Sequence, residues 1–149
     1  MLHLANSKTD ALIGAADTTT AQTAQHTIDT LGHAYASIDV VFEPAAATTD
    51  AICRALKIEQ SDASASDYAD VTALVGGGTG GFSIPSSGSR TAGSNVVRLN
   101  IDTRGLKRYL RVNATPVAAS VVASVARLGR GEAGSVDAAS SGVQVVVNG

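Results

Sequence analysis

Apolar and polar residues alternate with a period of two along much of this chain. The clearest case is Asn95–Pro116, where Val97, Leu99 and Ile101 alternate with Arg98, Asn100 and Asp102. Further on, Leu110, Val112 and Ala114 alternate with Tyr109, Arg111 and Asn113. That period puts apolar side chains on one face, as in a half-buried strand. Thr103-Arg104-Gly105 lies between the two arms and supplies turn chemistry, with Gly105 able to take a positive φ. The stretch therefore predicts a β-hairpin with a short glycine-containing loop.

The same reading predicts strands at His26–Leu31 and Tyr35–Phe42, separated by a turn at Gly32-His33 and ended by Glu43-Pro44, since proline cannot donate to a ladder. Ala51–Glu59 has helix-forming residues but the length of a strand, and strand is the reading its neighbours favour. Ser61–Asp70 reads as a loop and Val71–Val75 as a short apolar segment. Gly76–Gly81 and Pro85–Asn95 read as flexible loops around Phe82–Ile84. The segment 117–128 is ambiguous. Pro116 and Gly129 would bracket a helix, while valines at 117, 121, 122 and 125 favour a strand, which is the assignment taken.

Seven or eight short strands with Gly, Ser and Asp turns predict an all-β domain. The class is an antiparallel β-sandwich, jelly-roll-like, with extended N- and C-terminal arms. Residues 1–22 form the N-terminal arm, 23–129 the β-sandwich domain, and 130–149 a linker and terminal strand. The strand Val143–Val147 has two open alternatives: it closes this chain's own sheet, or it adds to a neighbouring subunit's sheet.

Composition narrows the function. Aromatic residues are only 3% of the chain, which leaves little for an aromatic-lined pocket, a base-stacking surface or a sugar-stacking platform. Charged residues are 16%, below the average of roughly 25%, and small residues fill the difference. Such a surface suits contact with other protein subunits. A net charge of −2 argues against a chain dedicated to nucleic acid. One cysteine, Cys53, excludes an internal disulfide framework. The N-terminus has no signal-peptide pattern, and no apolar run nears the roughly 20 residues that span a bilayer. The expectation is synthesis in the cytoplasm, with no membrane partner.

Motifs for chemistry are sparse. Gly76, Gly78 and Gly81 satisfy a bare GxGxxG, but Phe82-Ser83-Ile84-Pro85 follows where a dinucleotide site needs a helix. His3, His26 and His33 have no zinc spacing, and Glu59, Asp62, Asp67 and Asp70 lack the spacing of a calcium loop. No nucleophile elbow places a serine beside a histidine, and Cys53 reads as a core residue. The expectation is no enzyme, no metal, no cofactor and no small-molecule substrate. The one charge cluster is Arg98, Arg104, Lys107, Arg108 and Arg111, with only Tyr109 as an aromatic among them. It reads first as a solvated or salt-bridged strand face, and arginine's planar fork also suits carboxylates across a subunit interface. Candidate interface residues are therefore Arg104, Lys107, Arg108, Tyr109 and Arg111, with Val143, Val145 and Val147 of the terminal strand.

Several segments resemble a known group. IDTLGHAYASIDVVFE (28–43), LKIEQSDASASDYADVTALVGG (56–77), NIDTRGLKRYLRVNATP (100–116) and SVARLGRGEAG (124–134) are similar to small structural proteins encoded in head-gene clusters of tailed bacteriophages. The recurring features are the Ser61-Asp62 turn and an IDxRGxKRYLR stretch from Ile101 to Arg111, and the likeness covers about residues 27–131. The resemblance implies a capsid decoration, or cement, protein. That means a virion component, often a homotrimer, which sits on the capsid exterior and stabilises contacts between major capsid protein subunits. It carries no catalytic residues. A head–tail connector or tail-associated protein, or a surface adhesion or carbohydrate-binding module, are the other classes open at this point.

Overall fold

Alternation becomes burial in the computed structural model, which describes residues 7–13, 23–43, 51–85, 95–117, 119–129 and 145–148. Nine strands occur among them: β1 (Lys8–Ile13), β2 (Ala24–Asp29), β3 (Tyr35–Phe42), β4 (Cys53–Ser61), β5 (Ala69–Val75), β6 (Val96–Asp102), β7 (Tyr109–Pro116), β8 (Val122–Gly129) and β9 (Val145–Asn148). No described residue is helical. They form two sheets, one of five strands in the order β1-β8-β3-β6-β9 and one of four in the order β2-β7-β4-β5.

The fold is an all-β sandwich. Pairing is nested: β1 with β8, β2 with β7, β3 with β6 and β4 with β5, all antiparallel. Only β4 and β5, among consecutive strands, share a sheet as neighbours. The core lies between the sheets. Ile38, Val40, Phe42, Leu99, Ile101, Ala126 and Leu128 of one meet Ile28, Leu56, Ile58, Leu110 and Val112 of the other. The strand assignment for the ambiguous 117–128 segment holds over β8, whose alternating burial pairs it with both β1 and β3.

The expected hairpin is a correction. Both arms are strands, but β6 pairs with β3 while β7 pairs with β2 and β4, in the opposite sheet. The intervening residues cross the sandwich as an arch. A hairpin and an arch give the same alternation. In the first the apolar faces lie side by side, and in the second they face each other, which only tertiary pairing decides. Gly105 does not take a positive φ, whereas Gly32 does, at 82° in the neighbouring turn.

Both terminal regions contribute a strand. The strand β1, within the expected N-terminal arm, is an edge of the five-stranded sheet. The terminal strand takes the own-sheet alternative: β9 runs parallel to β6, with Val147 opposite Leu99. Val147 is buried in this chain's core, because that register turns it inward with Leu99. Val145 pairs with Val97, and Val143 lies outside the described residues. So does most of the expected Pro85–Asn95 loop.

Candidate functional site

The crossing loops gather at one end of the sandwich. The 30–34 turn and the 103–108 loop are stitched together by Thr30 N–H to the Arg108 carbonyl (3.0 Å), Thr103 N–H to the Ala34 carbonyl (2.9 Å) and Thr103 Oγ1 to the His33 carbonyl (2.8 Å). The Ser61–Ser66 turn joins them, since Gln60 Oε1 accepts from Lys107 N–H at 3.0 Å. Here Arg104, Lys107 and Arg108 of the loop precede Arg111 of β7, while Arg98 sits within β6, and most of the carboxylates that meet this cluster come from residues far apart in the chain.

Each basic residue of the cluster has a carboxylate of the same chain within reach. Arg108 grips Asp29 with two hydrogen bonds (2.9 and 2.7 Å), and Arg104 grips Asp102 similarly. Lys107 lies 3.2 Å from Asp62, Arg111 2.6 Å from Glu59, and Arg98 2.6 Å from Asp39. Asp39 also accepts from Arg127. The hydrogen bonds from Arg108, then burial opposing them, leave the Asp29 carboxyl lowered to about 2. The cluster is therefore internally neutralised, and it presents fixed dipoles and planar guanidinium rims more than net positive charge.

All three tyrosines of the protein are stacked by these arginines: Arg104 over Tyr35 (5.1 Å), Arg108 over Tyr109 (4.8 Å) and Arg111 over Tyr68 (3.8 Å). Only Tyr109 is near this cluster in sequence; Tyr35 and Tyr68 lie 74 and 41 positions away from it and arrive through the fold. Leu31, at the turn's tip, is 66% exposed. Arginine and tyrosine are residue types enriched where proteins dock, and Leu31 adds exposed apolar area beside them.

A second surface lies at the opposite end, on the outer face of the five-stranded sheet. Register puts Ile13, Ala123, Val41 and Val96 in one row across four strands, and the next row holds Ala11 and Val125 beside the Asp39–Arg98 ion pair. These are the outward positions, alternating with buried Phe42, Val97 and Val122. Ile13 is 75% and Val41 37% exposed, so the row is an apolar stripe open to water. No sequence rule joins these residues, since they come from four strands and are single apolar positions on polar faces.

A constellation the sequence did not show joins the two sheets. His26 of β2 has Nδ1 3.0 Å from Ser124 Oγ of β8 and Nε2 3.3 Å from Asp10 Oδ1 of β1. The types are those of a nucleophilic triad, but Ser124 is 4% exposed and faces the sandwich interior. The group works as a clamp that ties two edge strands together. His26→Ala should cost about 2 kcal/mol, because Ser124 and Asp10 lose their partner; thermal melting checks this.

The glycine-rich loop has a structural role. The N–H groups of Gly76, Gly77, Gly78 and Gly81 donate to the carbonyls of Leu56, Phe82, Val75 and Gly78. A Cβ on Gly81 would meet the Val75 carbonyl oxygen at 1.9 Å. These amides are spent on the fold and do not form a phosphate cradle.

No protein-family model, no curated protein and no solved structure matches this chain.

Proposed function

We propose that this chain is a structural virion protein of a phage head, a decoration or cement protein that associates with itself and docks on the capsid exterior. The nested strand order supports reading the sandwich as a jelly roll, the architecture that the resemblance implies. The observation that carries the reading is the pair of unlike contact surfaces at opposite ends. Interfaces between copies of one chain are more apolar than those between separately folded partners. The stripe of Ile13, Val41, Val96 and Ala123 is accordingly the self-contact, in a homotrimer. The Arg–Tyr end with Leu31 is the contact to major capsid protein subunits.

A protein placed this way adds buried area between capsomers without chemistry. Burial of apolar surface is worth about 25 cal/mol per Å², and three linked copies multiply weak contacts by avidity. The test is co-sedimentation with empty shells assembled from the major capsid protein. The wild type should pellet with shells. Leu31→Asp should lose most of that binding while keeping its melting temperature and its self-association. Undiminished pelleting of this variant would remove the arch end from the reading.

A further inference from the structure

We infer that the outer face of the four-stranded sheet carries a second binding site, a groove that takes a neutral saccharide. This site is independent of the assembly reading above, because it uses neither the stripe nor the arch end.

The groove is a concavity of about 370 Å³ crossing β2, β7 and β4, a volume at the small end of ligand sites. Its walls are Thr23 and Gln25 on one side and Lys57 and Glu59 on the other, with Asn113 and Thr115 between them. Register explains the grouping: Gln25 and Lys57 flank Asn113, and Ala55 pairs with Thr115. These are outward positions, yet Asn113 is 6% and Glu59 8% exposed. A polar floor sunk below the surface of a sheet is not needed for the core, which lies on the other face.

The side chains hold one another in place. Gln25 Nε2 donates to Asn113 Oδ1 (2.8 Å), and Asn113 Nδ2 donates to Glu59 Oε2 (2.8 Å). Lys57 Nζ bridges Glu59 and Asp70 at 2.8 Å each, and the Thr23 and Thr115 hydroxyls are 2.7 Å apart. Among the described residues each group keeps unused capacity: the Gln25 carbonyl oxygen and one of its N–H groups, one N–H of Asn113, one of Lys57, and a threonine hydroxyl proton. Several fixed donors and an amide acceptor therefore line one groove. That arrangement matches vicinal hydroxyls, each of which both donates and accepts.

Charge and lining select the ligand class. Lys57 and Arg111 balance Glu59 and Asp70, so no cation is left over for a phosphate or sulfate. Among the described residues the wall has no aromatic ring, and its apolar surface is made of small pieces, the Ala55 and threonine methyls and the aliphatic stems of Gln25 and Lys57, which disfavours nucleobases and lipids. A saccharide would lie edge-on, read through its hydroxyls. Without stacking, the dissociation constant falls at about 1 mM.

The test uses the full chain against neutral hexose and N-acetylhexosamine oligosaccharides, with sialylated and sulfated ones as the charged arm, followed by amide chemical shifts. The expected result is saturable shifts from a neutral sugar confined to residues 23–27, 55–59 and 111–115. Gln25→Leu and Thr23→Val, both at the rim, should each weaken binding at least about fivefold with the fold unchanged. Absence of shifts at about 20 mM sugar would overturn the proposal. So would shifts elsewhere, or retention of charged sugars only.

Discussion

Replacing Glu59 by Gln should lower the thermal midpoint by about 10 °C at pH 7 and by far less at pH 2. Glu59 is the hub of the four-stranded sheet's outer face. It accepts from Arg111 Nε (2.8 Å) and Nη2 (2.6 Å), from Asn113 and from Lys57. Burial pushes its carboxyl up, but hydrogen bonds from Lys57, Arg111 and Asn113 outweigh it and hold the group at about 2, below the ordinary 4.5. A carboxyl lowered on folding contributes stability that is fully present above pH 4.5 and lost as pH falls toward 2. A lowering from 4.5 to about 2 corresponds to about 3 kcal/mol. Melts followed by circular dichroism at both pH values check the prediction. An equal loss at pH 7 and pH 2 would show that the side chain acts by shape and not by charge.

Leu99→Ala should cost about 3 to 4 kcal/mol, read from urea unfolding at constant slope. Leu99 is fully buried on β6, opposite Ile38 of β3 on one side and Val147 of β9 on the other. Both neighbours are fixed in sheet register, so the cavity closes poorly. The result also reports register. A slip of one residue would exchange Leu99 for Arg98 or Asn100 on the inner face, and the substitution would then cost under about 1 kcal/mol.

How much of this was legible depended on whether a feature is local. Alternation found β3, β6 and β7, and it found β8 despite the bracketing Pro116 and Gly129, because valine at 121, 122 and 125 fits a pleated surface better than a helix. It failed on partners. Asn95–Pro116 reads as a hairpin and is an arch, because Thr103 bonds to the 33–34 backbone and sends the chain into the other sheet. The basic cluster was visible, but not Asp29, Asp39, Asp62 and Glu59, which pair with it across 45 to 79 positions. The apolar stripe and the His26–Ser124–Asp10 clamp are likewise made by register between distant strands. Neither leaves a motif. In the terminal strand, the apolar run was legible and its partner, β6 in parallel, was not.

The account rests most on self-association through the stripe, and light scattering of the purified chain over a range of concentrations tests it directly. The account predicts about 45 kDa, three times the 14.9 kDa chain, with closed threefold symmetry. It also predicts that Ile13→Asp with Val41→Asp, both at exposed positions, returns the mass to that of one chain without lowering the unfolding midpoint of the monomer. A wild-type mass of 14.9 kDa at every concentration, or an unchanged trimer in the double variant, would contradict it.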